Sequence, residues 1–208
     1  MIGICVPVRD TLHTGFAYCL VQLTSHLTKN NIDYKLYFEN GSIISDQRYR
    51  LTTSAMSDKC TQILWLDSDM LFPVSIYERL NNHNKMAVAA TYSTRTKPYR
   101  NTAFKSDKFD TVDNNSGLHS VYAVGMGLML IDISIFKTIP RPWFQVTWSE
   151  QHETFTGEDV YFCSQLHNYE YKLYVDFDLS KNCGHIGSIA VKMENINDQK
   201  REERVAGF

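Results

Sequence analysis

The sequence predicts an α/β fold in which helices cover both faces of a mostly parallel central sheet. In the first half of the chain, short apolar runs alternate with stretches whose apolar residues recur at helical spacing, an alternation typical of parallel sheets. Apolar residues make up 43% of the chain, which is enough for a sizeable core. Such sheets bind ligands at the carboxyl ends of their strands, so the residues after each strand are the first candidates for a site.

Before residue 93 the pattern predicts four strands and three helices. The predicted strands are residues 2–8, 33–38, 62–66 and 86–92. The first helix has apolar residues at helical spacing, at Phe16, Leu20, Leu23 and Leu27. Ser45 or Asp46 is a suitable cap for a second helix that ends near residue 57. Pro73 fits the first position of a third helix that extends through Leu80.

The alternation is interrupted after residue 92. Residues 93–118 are polar with little periodicity, so we expect a loop or a pair of short edge strands of functional importance there. A strand is predicted at 121–132, where Gly125 and Gly127 permit a bulge or the close approach of a ligand. The remaining elements are a turn at Pro140 and Pro142, a helix from 156 to about 168 and a strand at 172–177.

Length, charge and cysteine content exclude several classes of protein. The 208 residues fit one domain, and a net charge of −2 gives no general attraction to nucleic acid or anionic lipid. The most apolar window, 121–136, is shorter than the roughly 20 residues that span a bilayer, and it contains Asp132. Five cysteines without C-x-x-C spacing, and an amino terminus without signal-peptide features, predict a cytoplasmic protein.

Two aspartates directly follow the predicted strand 62–66. Asp67 and Asp69 are two positions apart, so both carboxylates can point to the same side at the strand's carboxyl end. Two such anions repel each other unless a cation lies between them. Carboxylate oxygens suit Mg²⁺ or Mn²⁺, which in turn can hold a diphosphate. The pattern therefore indicates a divalent-metal site, and the alternative interpretation is a solvated acidic turn.

The helix predicted near Thr156 carries Glu158 and Asp159 in its first turn. Threonine followed three residues later by a carboxylate is a capping-box pattern, which is a structural interpretation. In the functional interpretation, one carboxylate caps the helix while the other faces a cleft as general base for a hydroxyl nucleophile.

His185 follows the last predicted strand and lies between Gly184 and Gly187. This flexible backbone allows the imidazole to reach a metal ion. A surface or core histidine is the alternative interpretation.

The order of these motifs resembles that of the nucleotide-sugar glycosyltransferases of the GT-A fold, in particular the family 2-like group of bacteria and viruses. The resemblance covers most of the chain. It includes the strand end at 6–10, Arg48 ahead of the D-x-D motif, the stretch 64–73 and the glycine-containing strand 124–131. Tyr49 departs from the family, which commonly has Arg-Asn where this chain has Arg48 and Tyr49.

The resemblance implies a role for each candidate residue. Asp69 would ligate the metal directly, Asp67 would hold the ribose or share the metal, and His185 would complete the metal shell. Asp159 would be the base that deprotonates the acceptor, and Glu158 could exchange roles with it. The nucleotide-sugar would lie against Pro7, Arg9, Arg48, Asp67, Ser68, Gly125 and Gly127.

The implied function is a metal-dependent transfer of a hexose from a UDP-sugar to an acceptor hydroxyl, with Mn²⁺ or Mg²⁺ as cofactor. A carboxylate base in line with the leaving group favours inversion at the anomeric carbon. Retention is the alternative, because a carboxyl-terminal metal-binding histidine also occurs in retaining GT-A enzymes. The acceptor would be a glycan, a small molecule or a modified DNA base. If the acceptor is DNA, five basic residues are candidates to bind its phosphate backbone: Arg95, Lys97, Arg100, Lys105 and Lys108.

The implied GT-A domain covers residues 1–191. Its nucleotide-binding half is at about 1–92 and its acceptor- and metal-binding half at about 119–191, and residues 192–208 form a charged tail. For a viral protein, the cytoplasmic location would be that of the host.

Other classes remain open. A non-catalytic carbohydrate-binding module would use aromatic stacking, with Trp143, Phe144 and Trp148 as candidates. A phosphohydrolase of the haloacid dehalogenase type also has a D-x-D motif after a strand. That motif is usually near the amino terminus, and Thr or Val follows where this chain has Leu71. Hydrolysis of a nucleotide-sugar in the presence of Mn²⁺ distinguishes the glycosyltransferase from a carbohydrate-binding module.

Overall fold

The fold was analysed in a computed structural model that describes residues 1–95, 97, 99–112, 116–150 and 152–187. The helices are α1 (Thr14–Lys29), α2 (Ile44–Ser57), α3 (Ile76–Asn81), α4 (Ile135–Thr138), α5 (Glu158–Asn168) and α6 (Phe177–Ser180). The strands are β1 (Ile2–Val8), β2 (Tyr34–Asn40), β3 (Gln62–Leu66), β4 (Met70–Leu71), β5 (Ala87–Ala89), β6 (Ala103–Phe104), β7 (Leu118–Val121), β8 (Ala123–Val124), β9 (Leu128–Asp132), β10 (Thr147–Ser149), β11 (Thr154–Thr156), β12 (Leu173–Asp176) and β13 (Gly184–His185).

The central sheet has seven strands in the order β2-β1-β3-β9-β5-β12-β7. Strands β2, β1, β3, β5 and β12 run in one direction, and β9 and β7 run in the other. The predicted α/β fold with a mostly parallel central sheet is therefore confirmed. Three two-stranded sheets, β10-β11, β13-β4 and β6-β8, lie outside it.

Side chains alternate between the two faces of this sheet. In β3, Ile63 and Trp65 belong to one apolar cluster, and Leu64 and Leu66 belong to the other. Helices α2 and α5 contribute to the first cluster, and α1 and α3 contribute to the second. All four β3 side chains are fully buried. Burial on both faces explains why this strand has an uninterrupted apolar sequence.

The helix starts differ from those predicted. Helix α2 begins at Ile44 after the N-cap residue Ile43, without a side-chain cap, so the capping role predicted for Ser45 or Asp46 is wrong. Helix α3 begins at Ile76, and Pro73 therefore lies before the helix. Local capping signals contribute only about 1 kcal/mol, so they do not by themselves fix where a helix begins.

The continuous strand predicted at 121–132 is wrong. Strand β7 ends at Val121, β8 pairs with β6, and β9 enters the middle of the sheet between β3 and β5, antiparallel to both. The break falls at Gly125 and Gly127, where the missing side chains let the chain turn sharply.

In the described ranges, no helix is long and apolar enough to cross a membrane. The charged tail predicted at 192–208, and the last residues of the predicted domain, 188–191, lie outside the described residues.

Candidate active site at the carboxyl edge of the sheet

A cleft of about 380 Å³ lies at the carboxyl ends of β1 and β3, where ligands bind in sheets of this kind. Its volume falls in the range of small-molecule sites. Among the lining residues are Pro7, Arg9, Gln47, Asp67, Ser68, Asp69, Tyr92, Arg95 and His185. The cleft thus brings together side chains from widely separated parts of the chain.

Strand pairing holds His185 beside Asp69. Strand β13 pairs with β4, which directly follows the D-x-D motif, and the Ile186 N–H donates to the Asp69 carbonyl at 2.8 Å. The Nε2 atom of His185 lies 3.4 Å from Asp69 Oδ2, and its Nδ1 lies 3.0 Å from the Ser93 carbonyl oxygen. The structure therefore joins two of the three residues for which metal ligation was predicted.

Asp69 and His185 stabilise each other's charged forms. Burial opposes the charge on Asp69, but the hydrogen bond and charge of His185, together with Arg95, lower the pKa of this carboxyl below its usual value. Burial likewise opposes the charge on His185, and Asp69 and the Ser93 carbonyl raise its pKa. This part of the cleft is an ion pair that a bound cation would rearrange.

Asp69 and His185 have the spacing of two ligands of one metal ion. Ligands bound at about 2.1 Å to the same ion lie about 3.0–3.4 Å apart, and Asp69 Oδ2 and His185 Nε2 are 3.4 Å apart. Over the ranges that the structure describes, no group of three His, Cys, Asp or Glu side chains is arranged to hold a metal. A metal ion held by these two side chains would need its remaining ligands from another molecule.

Arg95 is part of the cleft, whereas the sequence indicated it only as one of five basic residues available to a DNA acceptor and not as a donor-site residue. Its Nη1 donates to Asp69 Oδ2 at 2.8 Å, and the side chain is exposed. In the sequence it is one of several basic residues in a polar loop, and no local pattern separates it from Lys97 or Arg100. The structure shows that this cation faces the D-x-D motif.

Arg48 forms a buried bridge between two acidic segments. Its Nε donates to Glu158 Oε1 at 3.0 Å, and its Nη2 donates to both Asp67 carboxylate oxygens, at 3.0 and 3.2 Å. The residue is only 1% exposed, and its guanidinium lies over the Trp65 ring at 5.2 Å from the centroid. Arg48 therefore lies behind Asp67, and its predicted contact with a nucleotide would have to act through that aspartate.

The carboxyl groups of Asp67, Glu158 and Asp159 all interact with the charge of Arg48. Burial raises the pKa of Asp67, the charges of Asp69 and Glu158 add to the shift, and Arg48 opposes it. Burial is also the main cause that raises the pKa of Asp159 to about 6, and the charge of Glu158 adds to it. A carboxyl group with this pKa is suited to general-base chemistry near neutral pH.

The capping-box interpretation of Thr156 is wrong. Thr156 ends β11, Gly157 is the N-cap residue of α5, and the helix has no side-chain cap at that position. Asp159 Oδ1 accepts a hydrogen bond from the Val160 N–H at 2.7 Å, whereas Glu158 turns toward Arg48. The two neighbouring carboxylates therefore have different partners, because only Glu158 forms an ion pair with Arg48 of α2.

Gly125 and Gly127 make room for Tyr92. A Cβ atom at either glycine would clash with the Tyr92 hydroxyl, which accepts a hydrogen bond from the Gly127 N–H at 3.1 Å. Tyr92 also packs edge-on against His185, with ring centroids 5.0 Å apart. The close approach predicted at these glycines is that of a tyrosine, and it is the tyrosine that lines the cleft.

Pro7, Arg9 and Ser68 line the cleft, and their contacts with a nucleotide remain a prediction. Gln47 lies beside them and donates to the carbonyl oxygens of Val8 and Glu39. These two hydrogen bonds join the carboxyl ends of β1 and β2, which fixes this wall of the cleft.

Two of the three aromatic residues proposed for sugar stacking are unsuitable. Trp143 and Phe144 are 2% and 6% exposed and pack against Phe136. Their prediction as stacking platforms is wrong, because the aromatic cluster in the core buries them. Trp148 is exposed.

The fold and the cleft define an α/β protein with an acidic site, containing arginine and histidine, at the carboxyl edge of its sheet. No family model and no curated protein matches the sequence. Among solved structures, the chain resembles A197 from STIV, with 16% identity, a TM-score of 0.55 and coverage of 92% of this chain and 96% of that one. At this identity the similarity shows a shared fold.

Two further structures resemble the chain less closely. One is a glycosyltransferase involved in the glycosylation of the major capsid of PBCV-1, with 12% identity, a TM-score of 0.44 and coverage of 95% and 98%. The other is 4-diphosphocytidyl-2C-methyl-D-erythritolsynthase from Anaerococcus prevotii DSM 20548, with 10% identity, a TM-score of 0.47 and coverage of 98% and 96%. With TM-scores below 0.5, neither bears on the function of this chain.

Proposed function

We propose that this protein is a metal-dependent glycosyltransferase that transfers a hexose from a nucleotide-sugar, specifically a UDP-hexose, to an acceptor hydroxyl with inversion. The main support is that one cleft contains both the Asp69–His185 pair and Arg95, with Asp67 beside them. Asp159, whose pKa is raised to about 6, follows the Glu158 that Arg48 joins to Asp67. The order of motifs along the chain supports the same function.

The donor would bind at the D-x-D end of the cleft. Asp69 and His185 would hold Mn²⁺ or Mg²⁺, which when bound offsets the negative charge of the leaving diphosphate. Arg95 is exposed and can exchange its contact with Asp69 for charge-assisted hydrogen bonds to phosphate oxygens. Asp67, held in place by Arg48, can accept a hydrogen bond from a ribose hydroxyl.

Asp159 would act on the acceptor. In the proposed reaction its carboxylate accepts the proton of the attacking hydroxyl, a new C–O bond forms at the anomeric carbon, and the bond to the diphosphate breaks. Because the protein places Glu158 in an ion pair with Arg48, Asp159 is the carboxylate more available to take the proton.

A phosphohydrolase mechanism suits this site poorly. In such a mechanism the first aspartate of the D-x-D motif would be the nucleophile, but both carboxylate oxygens of Asp67 accept hydrogen bonds from Arg48. Hydrogen bonding to a buried cation lowers the nucleophilicity of these oxygens.

The decisive experiment is a panel of UDP-, GDP- and CDP-linked sugars tested by thermal shift and by hydrolysis, with and without Mn²⁺. A ligand that binds only the folded state raises the melting temperature by mass action. We expect stabilisation by one class of nucleotide-sugar that requires the metal, with slow release of its sugar. A carbohydrate-binding module would show neither effect.

Asp69→Ala is expected to abolish the Mn²⁺-dependent stabilisation by the nucleotide-sugar and to weaken donor affinity by more than about tenfold. The apo fold should persist, because the hydrogen bond that ties β13 to Asp69 uses its backbone carbonyl. Titration calorimetry with UDP and Mn²⁺ measures the affinity.

The matched control for this variant is Asp33→Ala. Asp33 is an exposed carboxylate at the amino end of β2, the opposite edge of the sheet, so its removal should leave donor binding unchanged. Equal donor affinity in the Asp69→Ala and Asp33→Ala variants would contradict the metal assignment.

A further inference from the structure

A hairpin next to the α5 helix presents an aromatic pair to solvent. Strands β10 and β11 are antiparallel, and Trp148 and Phe155 are cross-strand partners with ring centroids 5.2 Å apart in an edge-to-face arrangement. Trp148 is 49% exposed and Phe155 is 69% exposed, whereas the other two tryptophans, Trp65 and Trp143, are buried. Large exposed aromatic side chains that cluster often mark a binding surface.

Trp148 forms one wall of a second cleft, of about 250 Å³. Residues with hydroxyl groups or an imidazole also line it, among them Ser149, His152, Thr156 and Tyr161, together with Asp107, Phe109 and Val160. The His152 Nε2 lies 3.0 Å from the Asp107 carbonyl oxygen, which joins the hairpin to the preceding loop. The cleft therefore combines an aromatic face with several hydrogen-bonding groups.

These groups fit a neutral saccharide. A pyranose ring has an apolar C–H face that packs on an aromatic ring, and hydroxyl groups at its edge that exchange hydrogen bonds with polar side chains. No lysine or arginine is among the described residues that line this cleft. A phosphate or other anionic ligand would lack a cationic partner there.

The second cleft is next to the proposed base. Thr156 and Val160 both line it, and Asp159 lies between them in the sequence. Asp159 is three positions after Thr156, so their Cα atoms are at most about 11 Å apart. A saccharide in this cleft would contact the first turn of α5 at Val160, the residue directly after Asp159.

We propose that the cleft beside the β10-β11 hairpin binds the acceptor, and that this acceptor is a neutral saccharide stacked on Trp148. This inference rests on the proposed glycosyltransferase function and specifies its acceptor. Of the three acceptor classes, a glycan, a small molecule and a modified DNA base, it favours the glycan. It also assigns a function to the exposed hairpin, which is not part of the donor site.

The test measures saccharide binding with the full chain on an array of neutral oligosaccharides, and by acrylamide quenching of tryptophan fluorescence in solution. Because Trp65 and Trp143 are buried, quenching reports mainly on Trp148, and a bound saccharide should protect it. Trp148→Ala should weaken binding to the array by at least about tenfold. Phe155→Ala tests the same site through the partner ring.

The matched control is Tyr18→Ala, which removes an exposed aromatic side chain from α1, outside this cleft. It should bind the array as the unmodified protein does. Melting temperatures should change little in all three variants, because each side chain is exposed.

The outcomes separate this inference from the proposed function. Hydrolysis of the nucleotide-sugar without acceptor depends on the donor site, so it should be the same in Trp148→Ala. Loss of saccharide binding with intact donor hydrolysis supports the acceptor site. Three results would overturn the acceptor-site proposal. They are undiminished saccharide binding in Trp148→Ala, no saccharide bound by the unmodified protein, and self-association of the protein through the hairpin. Absence of donor hydrolysis from the unmodified protein would instead count against the proposed function.

Discussion

Asp159→Asn is expected to lower turnover by at least about 10²-fold while donor affinity stays the same. Asparagine keeps an oxygen that can accept the Val160 N–H bond, but it cannot take a proton at neutral pH. Loss of a general base typically lowers the reaction rate by 10²–10⁴-fold. This is one of the two largest effects that we expect for this protein. The measurement is the rate of nucleoside diphosphate release with the donor identified by the panel.

The raised pKa of Asp159 also sets an expected pH dependence. Turnover of the unmodified protein should increase with pH through about 6, because the carboxyl group must lose its proton to act as base. In the unfolded chain the pKa of an aspartate is about 3.9. Between these two values the folded state binds more protons than the unfolded state, so the contribution of Asp159 to stability decreases as pH rises from about 4 to about 6.

The substitution Asp159→Asn removes the loss of folding stability that ionisation of the half-buried Asp159 carboxyl group causes. The variant should therefore melt at the same temperature as the unmodified protein, or higher, at pH 7.5, and its advantage should disappear near pH 4. Near-normal turnover of Asp159→Asn, with a large loss in Glu158→Gln, would assign the base to Glu158. A clearly lower melting temperature at pH 7.5 would show that Asp159 has a structural role.

Arg48→Met is expected to destabilise the folded protein by about 3–5 kcal/mol at neutral pH. Arg48 forms ion pairs with both Asp67 and Glu158. Its removal therefore leaves two largely buried carboxylates without a compensating positive charge. For a chain of this size the loss corresponds to a decrease of roughly 10 °C in melting temperature. Urea unfolding followed by circular dichroism measures it.

Two further variants make the Arg48 result specific. Arg50→Met, on the same helix, removes an exposed arginine that pairs with Asp46 and Glu39, and its melting temperature should change little. Combining Arg48→Met with Asp67→Asn and Glu158→Gln removes the uncompensated charges and should restore much of the lost stability. A combined variant as unstable as Arg48→Met alone would mean that lost packing over Trp65, and not charge, was responsible.

Local pattern was sufficient to predict much of the first half of the fold. The strand boundaries predicted at 2–8 and 62–66 match β1 and β3, because a strand buried on both faces is apolar at nearly every position and this signal lies within a few residues. Because this local signal defines where β3 ends, it also predicted that Asp67 and Asp69 lie at the end of a strand. Their position at the carboxyl edge of the sheet followed from the α/β alternation alone.

Long-range pairing was beyond what the sequence could predict. Strand β9 inserts between β3 and β5, and the two-residue strand β13 pairs with β4. Both arrangements depend on contacts between distant segments. Such short strands have almost no propensity signal of their own, since the pairing partner supplies their stability.

The sequence by itself determined the α/β class, the D-x-D motif after a buried strand and the presence of an acidic pair at the start of a helix. Only the tertiary structure decided the partner and the burial of each acid. It joins Glu158 to Arg48, leaves Asp159 half buried with a raised pKa, and brings Arg95 to Asp69. It also buries Trp143 and exposes Trp148. The physical reason is that burial and charge compensation depend on neighbours in space, which neither composition nor periodicity specifies.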